Sequence, residues 1–192
     1  MDPSKSIGTP TSGSIDSAIN VPNLGTMYVE YLQPYDTPEM PDWGVRALIN
    51  VIEGAGRRFE IPLGFPGACR ILTEWNSMPR MQVGHLSLQA GGAFIVDNVQ
   101  RHVSHQSGVD VDVRYLRTDG FELPLNLAGP DSLKFDLNRT VDLMRCLMSD
   151  SRVVLMYYDS AHTGIVNDPL SAGRLVDLAG HSDHFHVRVR PN

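Results

Sequence analysis

Five of the seven histidines in this 192-residue chain lie in two short segments that are about eighty positions apart. The first segment reads RHVSHQSGVDVDV over residues 101–113, and the second reads GHSDHFHVRVR over residues 180–190. Imidazole and carboxylate groups are the usual ligands of a hydrolytic zinc ion, and three such ligands leave one coordination position for water. A shared metal site therefore requires these two segments to lie side by side in the fold.

Each segment predicts a strand with one apolar and one polar face, because successive side chains alternate between the two faces of a strand. The polar faces carry Asp110 and Asp112 in the first strand, and His184, His186, Arg188 and Arg190 in the second. His105 precedes the first strand, and a turn at Ser107 and Gly108 is expected to direct its imidazole back over the aspartates. The predicted site is therefore His105, one of the two aspartates and one of the two strand histidines, a set that suits catalytic zinc. The spacing alone selects neither the aspartate nor the histidine.

Each segment by itself also has an ordinary interpretation. Histidines on an exposed strand are common, and two acidic residues on one face of a strand are usually solvated. Two independent segments that both place His and Asp on the polar face of a strand with an apolar opposite face favour the metal site.

Several residues outside this predicted site receive structural interpretations. His85 is expected to stabilise a loop, and His162 is expected to be exposed to solvent. Arg114 and Arg188 could contact substrate carboxylates, but an arginine on a strand face is more often a surface residue. Tyr157 is expected in the core or in the wall of a cleft.

The pattern of the whole chain indicates a single α+β domain, in which flanking helices and long loops surround a small antiparallel sheet that carries the zinc cleft. Apolar residues at helical spacing predict helices over residues 42–56 and 136–148, with Asp42 and Asp136 as N-caps. Glycines at positions 54 and 56 are expected to end the first helix.

Alternating or compact apolar runs predict strands over residues 109–113, 153–157 and 184–190. The first of these strands is expected to be half-buried. Loops are predicted over residues 84–100 and 159–181, and residues 70–75 fit either a strand or a helix.

Residues 1–25 are rich in Ser, Thr, Gly and Pro and predict an irregular lead-in to a domain over residues 26–192. They lack the apolar stretch of a secretory signal, so either the chain is made without one, which Met1 favours, or a signal was removed before this numbering begins. No apolar run approaches the ~18 residues that a membrane span requires. The net charge of −6 argues against a general nucleic-acid binder, which would carry a large basic patch.

The two cysteines, Cys69 and Cys146, could form a disulfide in an oxidising compartment. Cys146 lies in an apolar helical pattern, which favours a buried free thiol instead. Neither cysteine has a histidine at the spacing of metal ligands, so neither is expected at the metal site.

The two motifs, SHQSGVDVD over residues 104–112 and DHFHVR over residues 183–188, closely resemble those of the penicillin-insensitive murein endopeptidases. That family belongs to a group of zinc peptidases that includes lysostaphin, D-Ala-D-Ala carboxypeptidases and the hedgehog signalling domain. The segment GHLSL over residues 84–88, followed by two glycines, is similar to the one that precedes the first motif in the family. The resemblance covers residues 84–120 and 150–190 and leaves the first 80 residues unaligned.

The resemblance implies a zinc ion held by His105, Asp112 and His186, with the aspartate seven positions after the first histidine. It implies that His184 lies beside the metal-bound water as a general base or as a stabiliser of the transition state.

By the same matching, His102 and His181 are active-site histidines outside the ligand set, and either could protonate the leaving amine. Asp110 and Asp183 are implied to orient imidazole rings by accepting their second N–H group.

The activity implied by the resemblance is hydrolysis of D-alanyl–meso-diaminopimelate crosslinks of peptidoglycan in the bacterial periplasm, through a metal-activated water and without a nucleophilic serine. D-Ala-D-Ala dipeptidases of the group carry a glutamate near the final ligand, whereas this chain has His184 there, which favours the endopeptidases. Because no export signal is visible, an injected or phage-borne antibacterial effector is one expectation, with a secretion apparatus or an immunity protein as partners. Alternatives are a D-alanyl-D-alanine carboxypeptidase and a non-catalytic, zinc-stabilised binding module.

Overall fold

A computed structural model of the chain describes residues 4–21, 28–30, 42–60, 80–165 and 173–191. These residues form helices and strands together, so the predicted α+β class is confirmed. The strands are β1 (Lys5–Thr9), β2 (Ser12–Asp16), β3 (Ile19–Asn20), β4 (Tyr28–Glu30), β5 (Trp43–Gly44), β6 (Met81–Val83), β7 (Phe94–Val96), β8 (Val99–His102), β9 (Asp110–Arg114), β10 (Val153–Tyr158), β11 (Leu175–Asp177) and β12 (His184–Val189). The helices are α1 (Arg46–Glu60), a 3₁₀ helix (Pro130–Lys134), α2 (Leu137–Met148) and α3 (Ser160–Thr163).

The central sheet has the strand order β11-β10-β12-β9-β6-β4. Its four inner strands, β10, β12, β9 and β6, are antiparallel to one another, as predicted, whereas the outer pairs β10–β11 and β4–β6 are parallel. The sheet is therefore mixed rather than purely antiparallel. β9 and β12 are neighbours at its centre, where both of their edges are paired.

The apolar faces of β9 and β12 form part of the main core. Val111, Val113, Phe185 and Val187 have no exposed surface. All five residues of β9 are buried, so the expectation that this strand is half-buried is wrong. The polar face of β9 is covered as well because it packs against histidines and arginines of the neighbouring strand.

The second predicted helix is confirmed as α2. Its N-cap is Asp136, whose carboxylate accepts a hydrogen bond from the backbone N–H of Arg139 at 2.9 Å. Buried α2 side chains such as Leu143 and Leu147 belong to the same core cluster as β12.

The predicted bounds of the first helix are wrong at both ends. Asp42 is a buried residue before β5, and α1 begins only at Arg46 because β5 pairs with β3. Gly54 and Gly56 lie inside α1 and do not end it. The buried side chains of α1, Leu48 among them, pack into the core. This burial outweighs the cost of about 1 kcal/mol that each helical glycine carries.

The prediction of an irregular lead-in is wrong for residues 4–21. β1 and β2 form an antiparallel hairpin, and Ile15 from β2 is buried in the main core. The backbone N–H of Ile15 donates to the carbonyl of Ala90 at 3.0 Å. Ile15 and Val21 are buried in the core and Ala18 and Ile19 pack against it, so this polar segment is docked in a way that its composition does not reveal.

The two predicted loops contain short regular elements. Residues 84–100 include β7 and part of β8, which form a hairpin. Its turn residues Asp97 and Asn98 have φ of +51° and +61°, the left-handed conformation of a type I′ turn. Residues 159–181 include α3 and β11. The undecided segment 70–75 lies outside the described residues.

Cys146 is completely buried in α2. Its sulfur takes part in a disulfide, so the expectation of a free thiol is wrong. Cys69, the other cysteine of the chain, lies outside the described residues.

Within the ranges that the structure describes, none of the helices has both the length and the apolar character needed to cross a lipid bilayer. The longest of them, α1, has 15 residues.

Gly108→Ala is expected to destabilise the protein more than Gly164→Ala. Both glycines have positive φ, +70° and +65°, which costs a non-glycine residue about 1–2 kcal/mol. A Cβ at Gly108 would also lie 2.4 Å from Cδ1 of Ile15, whereas a Cβ at Gly164 meets nothing within 4 Å. Overpacking adds about 1–3 kcal/mol at position 108. Urea unfolding of both variants measures the difference, and equal losses would show that Ile15 does not restrain this turn.

Candidate metal centre

The two histidine segments meet at the centre of the sheet. The register of β9 and β12 pairs Asp112 with His186 and Asp110 with Arg188. Side chains of paired residues project from the same face of a sheet. The polar groups of both strands therefore face each other on the side away from the core, as a shared site requires.

Three polar atoms of this face form a small triangle. Nε2 of His105 lies 3.1 Å from Nδ1 of His186 and 3.3 Å from Oδ1 of Asp112. The remaining edge, from Nδ1 of His186 to Oδ1 of Asp112, is 3.0 Å. A tetrahedral ion with bonds of about 2.0–2.1 Å holds its ligand atoms about 3.3–3.4 Å apart. The triangle is close to the size that a four-coordinate metal ion needs.

His105 is held in place at both its ring and its backbone. Its Nδ1 lies 2.7 Å from the carbonyl of Leu86, which can only accept, so Nδ1–H donates to that oxygen and Nε2 faces Asp112 and His186. Its φ is +72°, a left-handed conformation, and its carbonyl accepts from the N–H of Gly108 at 3.5 Å. The predicted turn at Gly108 therefore exists and directs the imidazole towards the strands.

The two aspartates of β9 have different surroundings. Oδ1 of Asp112 faces the imidazoles of His186, His105 and His184 at 3.0, 3.3 and 3.6 Å. Asp110 accepts two hydrogen bonds from the Arg188 guanidinium at 2.7 and 3.2 Å. The geometry thus leaves Asp112 as the carboxylate that can reach a metal ion held by the histidines.

Both carboxyls are ionised at neutral pH. Burial raises the pKa of each, but the neighbouring His186 and His105 outweigh it and hold both values well below the usual range. Arg188 contributes to the lowering at Asp110. The face therefore offers two negative charges to its histidines.

His184 lies next to the triangle and is oriented by a carboxylate. Its Nδ1 is 2.7 Å from Oδ1 of Asp183, so Nδ1–H donates to that oxygen. Its Nε2 points towards Asp112 Oδ1 at 3.6 Å. Burial lowers the pKa of His184, but Asp112 and Asp183 outweigh it, so the net shift is upwards.

His102 provides a second possible ligand. His102, His105 and Asp112 form a group that could hold a metal ion, since their ligand atoms all lie within 4.8 Å of one another. Nδ1 of His102 is 3.6 Å from Oδ2 of Asp112, and its Nε2 is hydrogen-bonded to Nδ1 of His85 at 2.6 Å. The set that contains His186 is the tighter one, with edges of 3.0–3.3 Å.

The pKa of His102 is shifted in the opposite direction from that of His184. Burial, followed by the nearby His105, lowers the pKa of His102 to about 3. His102 is therefore neutral at physiological pH and acts there through hydrogen bonds rather than as a store of protons.

His181 lies in the loop before β12, half-buried beside His184. The two ring centroids are 5.1 Å apart, and Nδ1 of His181 donates to the carbonyl of Leu178 at 3.0 Å. The buried hydroxyl of Tyr115 donates to the His181 carbonyl at 2.9 Å and anchors this loop. Burial, followed by His184, lowers the pKa of His181.

The structure corrects the interpretation of Arg188 and adds to that of His85 and Tyr157. Arg188 is not a surface residue on the strand face, because it clamps the fully buried Asp110. His85 is buried and contacts His102, a role beyond loop stabilisation. Tyr157 is part of the wall, since its ring centroid lies 5.6 Å from that of His186. The sequence carried one signal for Arg188, its place on the polar face, but the register with Asp110 was needed to interpret it.

His162 and Arg114 lie outside the triangle. His162 is exposed, as predicted, and its Nδ1 lies 3.0 Å from Oδ2 of Asp159. Arg114 is buried in β9, opposite His184, and is not a surface residue either.

Zinc binding is expected to release about one proton near pH 7.5. Burial lowers the pKa of His186, but Asp110 and Asp112 outweigh it and raise the value to about 9. Without metal the imidazole is therefore protonated below pH 9, and an ion at Nδ1 must displace that proton. Zinc affinity should rise with pH up to about 9. Calorimetric titration in buffers of different ionisation enthalpy counts the protons, and a count near zero would contradict this geometry.

No model of a known protein family matches the chain, and a comparison with curated proteins finds none that is similar to it.

Proposed function

We propose that this protein is a zinc-dependent peptidoglycan D,D-endopeptidase that hydrolyses D-alanyl–meso-diaminopimelate crosslinks in the bacterial periplasm. The observation that carries the proposal is the triangle of His105, Asp112 and His186, with His184 and its carboxylate partner Asp183 beside it. The substrate in this proposal is inferred from the resemblance of the two motifs to those of murein endopeptidases.

The ligand set supports zinc as the ion. Two imidazole nitrogens and one carboxylate oxygen are a common set at catalytic zinc sites, which keep their fourth position open. When bound there, zinc polarises a carbonyl oxygen and lowers the pKa of a coordinated water. The three residues are only 3–5 % exposed, so solvent screens the charge interactions between them weakly.

His184 is suited to act on the attacking water. Its Nδ1–H is held by Asp183, so the lone pair of its neutral form is on Nε2, which faces the site. A base in this position accepts a proton from water, and its protonated form then donates a hydrogen bond to the developing oxyanion. The raised pKa of His184 favours that protonated form.

His181 is better suited than His102 to protonate the leaving amine. His181 is half-buried at the edge of the site and its ring lies next to that of His184. His102 is hydrogen-bonded to His85, and its pKa of about 3 keeps it neutral at physiological pH. We therefore assign proton donation to His181 and a hydrogen-bonding role to His102.

Digestion of purified crosslinked muropeptides, followed by mass spectrometry, tests the activity. Zinc-loaded protein should convert crosslinked dimers to monomers with the mass of one added water, and a chelator should stop the reaction. Release of free D-alanine from uncrosslinked pentapeptides alone would identify a carboxypeptidase. Intact dimers and pentapeptides with zinc-loaded protein would contradict the proposal and leave a non-catalytic zinc module.

A further inference from the structure

We propose that Arg188 is a positioning residue that fixes the metal-binding histidines through Asp110. The inference rests on the proposed function only in so far as it takes this face to be a metal site. It assigns to Arg188 and Asp110 one joint task, which is to hold His105 and His186, two residues that are 81 positions apart, in one geometry.

Arg188 and Asp110 form a bidentate salt bridge between neighbouring strands. Nε of Arg188 donates to Oδ1 of Asp110 at 2.7 Å, and Nη2 donates to Oδ2 at 3.2 Å. The two residues are paired in the register of β9 and β12. Asp110 has no exposed surface, so its charge depends on protein partners rather than on water. A guanidinium fork fixes the carboxylate in one plane, which a lysine cannot do.

Each oxygen of this fixed carboxylate lies next to one of the two histidines. Oδ2 accepts a hydrogen bond from the backbone N–H of His105 at 3.1 Å. That bond stabilises His105 in a left-handed backbone conformation, with φ of +72°, which is unfavourable for residues other than glycine. Oδ1 lies 3.2 Å from Nε2 of His186, the ring nitrogen opposite to the one in the triangle.

Among the residues that the structure describes, Nε2 of His186 pairs with the carboxylate of Asp110, at 3.2 Å. It is buried, and in the present orientation it makes no hydrogen bond within the described part of the chain. Asp110 is the carboxylate next to it, and a carboxylate behind a ligating imidazole is the usual means of fixing ring orientation. Loss of Arg188 would remove the guanidinium that fixes the buried Asp110 carboxylate, which would then be held only by His105 and His186 and could rotate out of its present plane.

The test compares three variants: Arg188→Met, which removes the charge and keeps the stem, Arg188→Lys, which keeps the charge and loses the fork, and Arg190→Met as a control. Arg190 is exposed and lies just after the last residue of β12, two positions beyond Arg188. The measurements are the zinc dissociation constant by competition with a chromophoric chelator, the visible spectrum of the cobalt(II)-substituted protein, and thermal unfolding.

We expect zinc binding to weaken about 10–100-fold in Arg188→Met, the usual effect of losing an outer partner of a metal ligand. The cobalt spectrum should change, Arg188→Lys should be intermediate, and Arg190→Met should match the wild type. A purely structural role predicts instead a lower unfolding temperature with unchanged zinc affinity and an unchanged cobalt spectrum, which would overturn the proposal.

Two further outcomes are also decisive. If Arg188→Met does not fold, the comparison of Arg188→Lys with wild type decides, and equal zinc affinities and spectra would overturn the proposal. If wild-type protein binds zinc but leaves muropeptides intact, the endopeptidase activity is wrong, while the affinities still decide the role of Arg188. Wild-type protein that does not bind zinc would overturn both.

Discussion

Replacement of His186 by alanine is expected to remove most of the bound zinc and all measurable turnover, while the fold largely survives. Nδ1 of His186 forms two of the three edges of the triangle, 3.1 Å to His105 and 3.0 Å to Asp112. Without it only two ligands remain, too few for a closed site. The zinc dissociation constant should rise by more than the factor of about 10–100 that is usual when a residue that orients a metal ligand is lost.

The His186→Ala measurement is zinc content after desalting, with turnover of crosslinked muropeptides and circular dichroism on the same samples. His162→Ala is the matched control, because His162 is an exposed histidine paired with Asp159. Zinc retained at wild-type stoichiometry in His186→Ala would show that this ligand is wrong. In that case the group of His102, His105 and Asp112 would be the site, and His102→Ala would lose the metal instead.

Replacement of His184 by alanine is expected to reduce turnover without loss of zinc. The expected reduction is about 10²–10⁴-fold, the usual contribution of a general acid or base. His184 lies 3.6 Å from Asp112 and outside the triangle, and its own support comes from Asp183. The metal ligands should therefore remain in place when its imidazole is removed.

Zinc content and kcat/KM for crosslinked dimers measure the effect of His184→Ala. Asp183→Asn should cause a smaller loss, since it weakens the orientation of the imidazole without removing it. Turnover in His184→Ala equal to that of wild type would exclude His184 as the base. Loss of zinc together with activity would make His184 a ligand.

The alternation of polar and apolar residues was sufficient to predict the faces of β9 and β12. Phe185 and Val187 are in the core, and His184 and His186 are on the opposite face, as predicted. Helix α2 could also be predicted from the sequence, because its apolar stripe and its cap at Asp136 are both local signals.

Other features depend on contacts between distant residues and could not be read from local patterns. The register that places Arg188 opposite Asp110 follows from strand pairing across 78 positions. The start of α1 depends on the pairing of β5 with β3, and the docking of the N-terminal hairpin depends on Ile15. Spacing leaves the choice between Asp110 and Asp112 open, and the pairing of Arg188 with Asp110 is a contact between strands that spacing does not reveal.

Anomalous scattering from a crystal of the zinc-loaded protein, measured at the zinc absorption edge, locates the metal ion itself. We expect one anomalous peak at about 2.0–2.2 Å from Nε2 of His105, Oδ1 of Asp112 and Nδ1 of His186. The absence of a peak at that position, or a peak bound by His102 with His186 unbound, would contradict this ligand set.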